Sequence, residues 1–140
     1  KSEPVLAVLP FQNTLSTFQL SGDDVVAALE NGVSQLADGA GRFAQVAGLH
    51  YTFDPNAEVG SRVSDVMVQA NGEWVAIDPA AIYGVVSNDF MRAGGDGFRM
   101  FRNNAINPYD FGPDLADVVA DYLIANRPYT PYTDGRITRR

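Results

Sequence analysis

The sequence has no cysteine and a single histidine, and these two shortages remove most familiar catalytic centres. Without thiols there is neither a disulfide framework nor a thiolate metal site. His50 lies in the apolar stretch Leu49-His50-Tyr51-Thr52-Phe53, with no second histidine to share a metal, and reads as a strand residue rather than a base. No Gly-x-Ser-x-Gly elbow occurs, so serine catalysis would depend on that one histidine. Gly94-Gly95-Asp96-Gly97 lacks the Lys-Ser/Thr ending of a phosphate-binding P-loop. No catalytic residue and no metal site can be assigned within these 140 residues.

Positive charge is scarce too. Ten basic residues against 17 acidic give a formal charge of -7, which disfavours binding to a nucleic acid polymer. The one basic cluster, Arg136, Arg139 and Arg140, reads as a solvated tail. No apolar run approaches the roughly 20 residues that span a bilayer.

What is present suits one compact core: 140 residues, 46% of them hydrophobic, predict a single domain over 1–140. Val5 to Leu9 and Thr14 to Leu20 read as strands around the Pro10-Phe11-Gln12-Asn13 turn. Ser21 reads as an N-cap, and Val25, Val26, Leu29, Val33 and Leu36 at helical spacing predict a helix over 22–36. Strands are expected over 45–53, 62–69, 74–77 and 82–86. Asn71-Gly72 marks a hairpin because that dipeptide accepts the positive φ angles of a type I′ turn. Residues 103–113 have turn composition. Leu115, Val118, Val119, Tyr122 and Leu123 predict a second amphipathic helix ending before Pro128, and 136–138 a last short strand. The fold class is α+β, a mixed β-sheet with hairpins and two main amphipathic helices.

The segment hardest to explain as scaffold runs from Asn88 to Phe98. Gly94, Gly95 and Gly97 let a ligand approach the main chain, Asp96 supplies an acceptor, and Phe90 and Phe98 flank it with flat apolar surface. Phe11 at its rigid turn is a second ring, and two rings from two loops can clamp a base at about 1 to 3 kcal/mol of stacking each. Asp96 can accept from a ribose diol. From the residues alone, the favoured reading makes Phe11 and Phe90 core side chains and Asp96 a turn residue.

Several segments argue together. Leu9-Pro10-Phe11-Gln12-Asn13-Thr14-Leu15, Leu20-Ser21-Gly22, Gly41-Arg42-Phe43, Gln45-Val46-Ala47-Gly48-Leu49, Asn88-Asp89-Phe90 and Gly94-Gly95-Asp96-Gly97-Phe98 occur in the order found in the C-terminal domain of the 5′-nucleotidase family, which the chain resembles over nearly its whole length. Asp134-Gly135-Arg136-Ile137 resembles that family's terminal strand. The resemblance implies a domain that binds the nucleoside part of a nucleotide. Phe11 and Phe90 match the aromatics that sandwich the base, and Asp96 matches the carboxylate on the ribose hydroxyls. Gly95 belongs to the same glycine loop, Asn13 to the first motif, and Gly48 to a segment passing near the base.

The resemblance further implies that two divalent metal ions and a catalytic Asp-His pair reside in an N-terminal metallophosphatase domain, and that the location is periplasmic or extracellular. The family's arginine segment that grips phosphate does not occur here, and residue 1 is not methionine, so the expectation is a late fragment of that C-terminal domain. It is expected to associate with the metallophosphatase domain, with a complementary chain or with itself. Cyclic-nucleotide phosphodiesterase/3′-nucleotidase, nucleotide-sugar hydrolase and sulfur-oxidising thiohydrolase domains share the motif. A structural module without ligand is the reading from outside the family.

Overall fold

Alternation of buried and exposed side chains in Leu15–Ser21 makes β1 a strand with one face inward: Ser16, Phe18 and Leu20 are buried while Thr17 and Gln19 face out. The computed structural model describes residues 13–125 and 132–140. The strand expected over 5–9, Phe11 and part of the 128–135 loop lie outside the described residues.

Ser21 ends β1 and caps helix α1, Gly22–Gly32, its hydroxyl accepting from the Asp24 amide at 3.2 Å. Such a cap is worth about 1 kcal/mol, and Asp23 and Asp24 complement the positive end of the helix. The helix stops four residues short of the expected Leu36. Ser34 Oγ donates to the Asn31 carbonyl at 2.6 Å and draws it out of the helical ladder, and Leu36–Asp38 forms only a separate 3₁₀ turn.

The remaining elements are β2 (Leu49–Phe53), β3 (Val63–Ala70), β4 (Glu73–Ala76), β5 (Ile82–Asn88), the short helices α2 (Asp89–Arg92) and α3 (Arg99–Asn103), β6 (Ile106–Tyr109), α4 (Leu115–Ala125) and β7 (Ile137–Arg139). They form two sheets. One has the order β5-β1-β6, all antiparallel; the other has the order β4-β3-β2-β7, with β7 parallel to β2. The hairpin falls where expected, Asn71 and Gly72 both at positive φ between the paired Ala70 and Glu73. Strand β2 begins at Leu49 rather than Gln45, because Gly48 at φ +80° cannot continue an extended strand.

Residues 103–113, expected as turns, contain β6. Its pairing with β1 slips by one residue between Thr17 and Gln19, which accommodates Asn107 at φ +49°. The Asn107-Pro108 pair therefore marks a bulge rather than a turn.

Helix α1 feeds both cores. Val25 and Ala28 pack with Phe18, Leu20, Phe98 and Phe101, while Leu29 and Val33 pack with Tyr51, Phe53 and Val66. Burying each large side chain contributes about 1.5 to 3 kcal/mol, so this one helix ties the two sheets together. Helix α4 seats a different stripe from the one expected. Small Ala116 and Ala120 are buried with Val119 and Leu123 against them, and Tyr122 stays outside. Among the described residues no helix is long and apolar enough to cross a membrane.

Candidate functional site

Pairing of β1 with β5 sets Leu15 opposite Asn88 and so brings the first sequence motif to the second. The Asp89 amide donates to the Thr14 carbonyl at 2.9 Å, and the Thr14 amide donates to Asp89 Oδ1 at 3.3 Å. Asn13 is thereby held one residue from this junction, its carbonyl accepting from the Leu115 amide at 2.8 Å. Asn88 caps α2, with Oδ1 accepting from the Met91 amide at 2.8 Å, and the chain turns out of the sheet at Phe90.

Phe90 and Phe98, which the sequence treats alike, part company here. Phe98 is 2% exposed and stacks on Phe101 in the core, with ring centroids 5.1 Å apart. Phe90 is 52% exposed. A ligand-facing role for Phe98 is therefore wrong: its ring is spent on packing. Gly95 lies directly under Phe90, since a Cβ there would overlap the ring, so the absence of a side chain lets the loop seat the aromatic.

Asp96 follows at φ +54°, a left-handed conformation that costs a non-glycine residue about 1 kcal/mol or more, between Gly94 at +97° and Gly97 at +83°. Its backbone carbonyl accepts from Asn31 Nδ2 at 3.0 Å. Among the described residues none hydrogen-bonds to the Asp96 carboxylate. Phe90, Gly95 and Asp96 thus share one rim: an exposed ring and an exposed carboxylate.

Gly48 sits apart from this rim. Space around its Cα is open, so its positive φ rather than crowding calls for glycine. It lines an apolar cavity of about 340 Å³ whose wall also includes Leu20, Ile77, Ser87 and Met91. Phe90, Gly95 and Asp96 do not line this cavity, but Ser87 and Met91 on its wall are sequence neighbours of Asn88 and Phe90. The structure joins Asn13, Phe90, Gly95 and Asp96 through one strand pair and one loop, leaves Gly48 on the neighbouring cavity, and does not describe Phe11.

Two clamps escape the sequence reading. Arg92, the last residue of α2, donates to the Phe101 carbonyl at 3.1 Å, approaches Asp110 at 3.4 Å and lies 5.9 Å from the Phe18 ring centroid. It pins the start of the glycine loop to the core. Arg136 grips Asp134 at 2.6 and 2.8 Å and donates to the Val46 carbonyl at 2.8 Å, anchoring the segment that carries Gly48. The guanidinium hydrogen bonds hold the Asp134 carboxyl down at about 2 and raise Arg136 above its ordinary value. Asp134 is exposed and Arg136 half-buried, and only Asp134-Gly135-Arg136 spacing could have signalled the pair.

No group of three or more His, Cys, Asp or Glu among the described residues is placed to hold a metal ion. The rim offers a ring that can stack and a carboxylate that can accept hydrogen bonds.

Comparison with known proteins identifies the fold and the family. A profile described as the 5′-nucleotidase C-terminal domain matches residues 1–103. The trifunctional nucleotide phosphoesterase YfkN of Bacillus subtilis is 40% identical over 136 residues, covering 95% of this chain and 9% of that protein. Human 5′-nucleotidase is 32% identical over 139 residues, covering 96% and 24%. The crystal structure of a 5′-nucleotidase precursor from Thermus thermophilus superposes with a TM-score of 0.92 at 43% identity, covering 96% of this chain and 27% of that one. The chain thus spans about a quarter or less of the length of these relatives. A profile matching most of the chain, and identities of 32 to 43% over nearly all of it, establish that it belongs to the 5′-nucleotidase C-terminal domain family.

Proposed function

We propose that this domain recognises the nucleoside part of a nucleotide for a two-domain phosphohydrolase that converts nucleoside monophosphates to nucleoside and phosphate. The observation that carries the reading is the rim itself. Phe90 is half exposed above a glycine whose missing side chain leaves room for the ring, one residue from a strained aspartate whose carboxylate has no partner among the described residues. An aromatic kept out of the core and an aspartate held in a left-handed conformation are costs that folding alone does not offset, whereas stacking on a base and accepting from a ribose diol would. Phe11 would supply the second ring, Asn13 and Gly48 the flanking backbone.

Two divalent metals would reside in a metallophosphatase domain, where they would activate water and stabilise phosphate oxygens. This chain would contribute binding and orientation, and alone it would be inactive. Exposed Val86 and Phe111 favour burial against that domain, a complementary chain or a second copy. Sedimentation as a monomer at high concentration would remove the last of these. The location proposed with this reading is periplasmic or extracellular, which cell fractionation tests.

The central test is equilibrium binding of adenosine and AMP to the chain and to its Phe90→Ala and Asp96→Ala variants. Loss of stacking should weaken binding roughly 5- to 150-fold. Equal affinity in all three proteins would sink the assigned site.

A further inference from the structure

Asp96 is held from behind by residues far away in sequence. Asn31, in the last turn of α1, donates through Nδ2 to the Asp96 carbonyl at 3.0 Å, and its Oδ1 accepts from Arg42 Nη1 at 3.1 Å. The amide cannot be turned the other way. Guanidinium only donates and a carbonyl only accepts, so the two neighbours fix which end of Asn31 faces which. Arg42 Nη1 also lies 3.4 Å from Ser34 Oγ, so the guanidinium rests against the end of α1.

The glycine loop closes onto this bridge. A Cβ at Gly97 would collide with Asn31 Oδ1 and Arg42 Nη1, so the chain after Asp96 passes as near to them as glycine allows. Gly94 and Gly97 at positive φ leave the intervening peptides many alternatives, and Asp96 itself sits at φ +54° and ψ +29°. Anchoring the Asp96 carbonyl fixes that ψ and, with it, the direction of the Cα–Cβ bond.

We propose that Asn31 is a positioning residue for the Asp96 carboxylate: oriented by Arg42, its amide holds the Asp96–Gly97 peptide so that the carboxylate faces a ligand diol. The inference rests on the nucleoside reading of this loop. It adds that discrimination for the ribose hydroxyls is set partly by α1, outside the loop. Arg42 also opens the segment that leads to Gly48, so the same bridge connects the loop carrying Phe90 with the stretch that lines the neighbouring cavity.

The test uses two ligands, adenosine and 2′,3′-dideoxyadenosine, titrated against the chain and its variants. Asn31→Asp keeps the acceptor for Arg42 but loses the donor to Asp96. The unsubstituted chain should prefer adenosine by roughly tenfold, the worth of hydrogen bonds to a carboxylate. Asp96→Ala should abolish that preference. Asn31→Asp should remove most of it while leaving dideoxyadenosine affinity unchanged, and should add nothing in the Asp96→Ala background. Arg42→Ala should produce the same change to a smaller degree, and it carries the test should Asn31→Asp not fold. Equal losses for both ligands would mark Asn31 as scaffold and overturn the proposal. An undiminished preference in Asn31→Asp and Arg42→Ala, with loss in Asp96→Ala, would overturn it while the nucleoside reading stands. Absence of any preference in the unsubstituted chain would remove the diol assignment and this inference with it.

Discussion

Phe90 and Phe98 stand eight residues apart in one segment, yet one belongs to a rim and the other to a core. Phe98 stacks on Phe101, which meets Phe18 edge-on with centroids 5.0 Å apart, and all three are closed off by Val25 and Ala28 of α1. Phe90 has a glycine beneath it and solvent above. The difference shows that this segment has a fixed side and an exposed side. Packing of Phe98 and the Arg92 clamp hold the fixed side, and the exposed side presents Phe90 and the Asp96 carboxylate.

The largest expected effect comes from breaking the fixed side. Phe98→Ala should destabilise by about 3 to 5 kcal/mol, because it leaves a cavity among well-packed rings. Phe90→Ala should cost less than about 1 kcal/mol, as an exposed side chain has little packing to lose. Urea unfolding of the two variants compares them directly. Similar losses would mean that Phe90 is a core residue and would return the loop to scaffold.

A smaller effect sharpens the exposed side. Gly95→Ala places a methyl where the Phe90 ring lies, and the ring is the group able to move. Stability should fall by about 1 kcal/mol. Adenosine affinity should fall nearly as far as in Phe90→Ala, and the Gly95→Ala, Phe90→Ala double variant should be no weaker than Phe90→Ala alone. Additive losses would show that Gly95 matters to the ligand independently of the ring.

The contrast between these two rings was only half legible in the sequence. Local chemistry announced itself: Ser21 as a cap, Asn71-Gly72 as a hairpin and the glycines around Asp96 each act through their own backbone. What periodicity could not reveal was long-range. Whether Phe90 or Phe98 turns inward depends on Phe101 and Phe18 being in place, and the fate of residues 103–113 depends on β1 offering an edge to β6. The early end of α1 likewise needs Ser34 to compete for the Asn31 carbonyl. Asn31 itself carried no motif, since its value lies in touching residues 11 and 65 positions away.

The smallest effect concerns the clamp on the other wall, where Asp134 and Arg136 tether the segment bearing Gly48. The Asp134 carboxyl titrates at about 2 in the folded chain, below the ordinary aspartate value, because Arg136 hydrogen-bonds to its charged form. A depressed folded-state value means that the stabilisation is fully present above the ordinary value of about 4 and is lost as the pH falls through about 2. Asp134 is exposed and Arg136 only half-buried, so solvent screening keeps the contribution small. Thermal unfolding of the chain and of Asp134→Asn should differ slightly at about pH 7, with the chain the more stable, and the difference should vanish as the pH approaches about 2. A difference that persists to that pH would assign the effect of the substitution to something other than this ion pair. Affinity for adenosine should change far less in Asp134→Asn than in Gly95→Ala, because Arg136 still donates to the Val46 carbonyl and keeps the Gly48 segment in place.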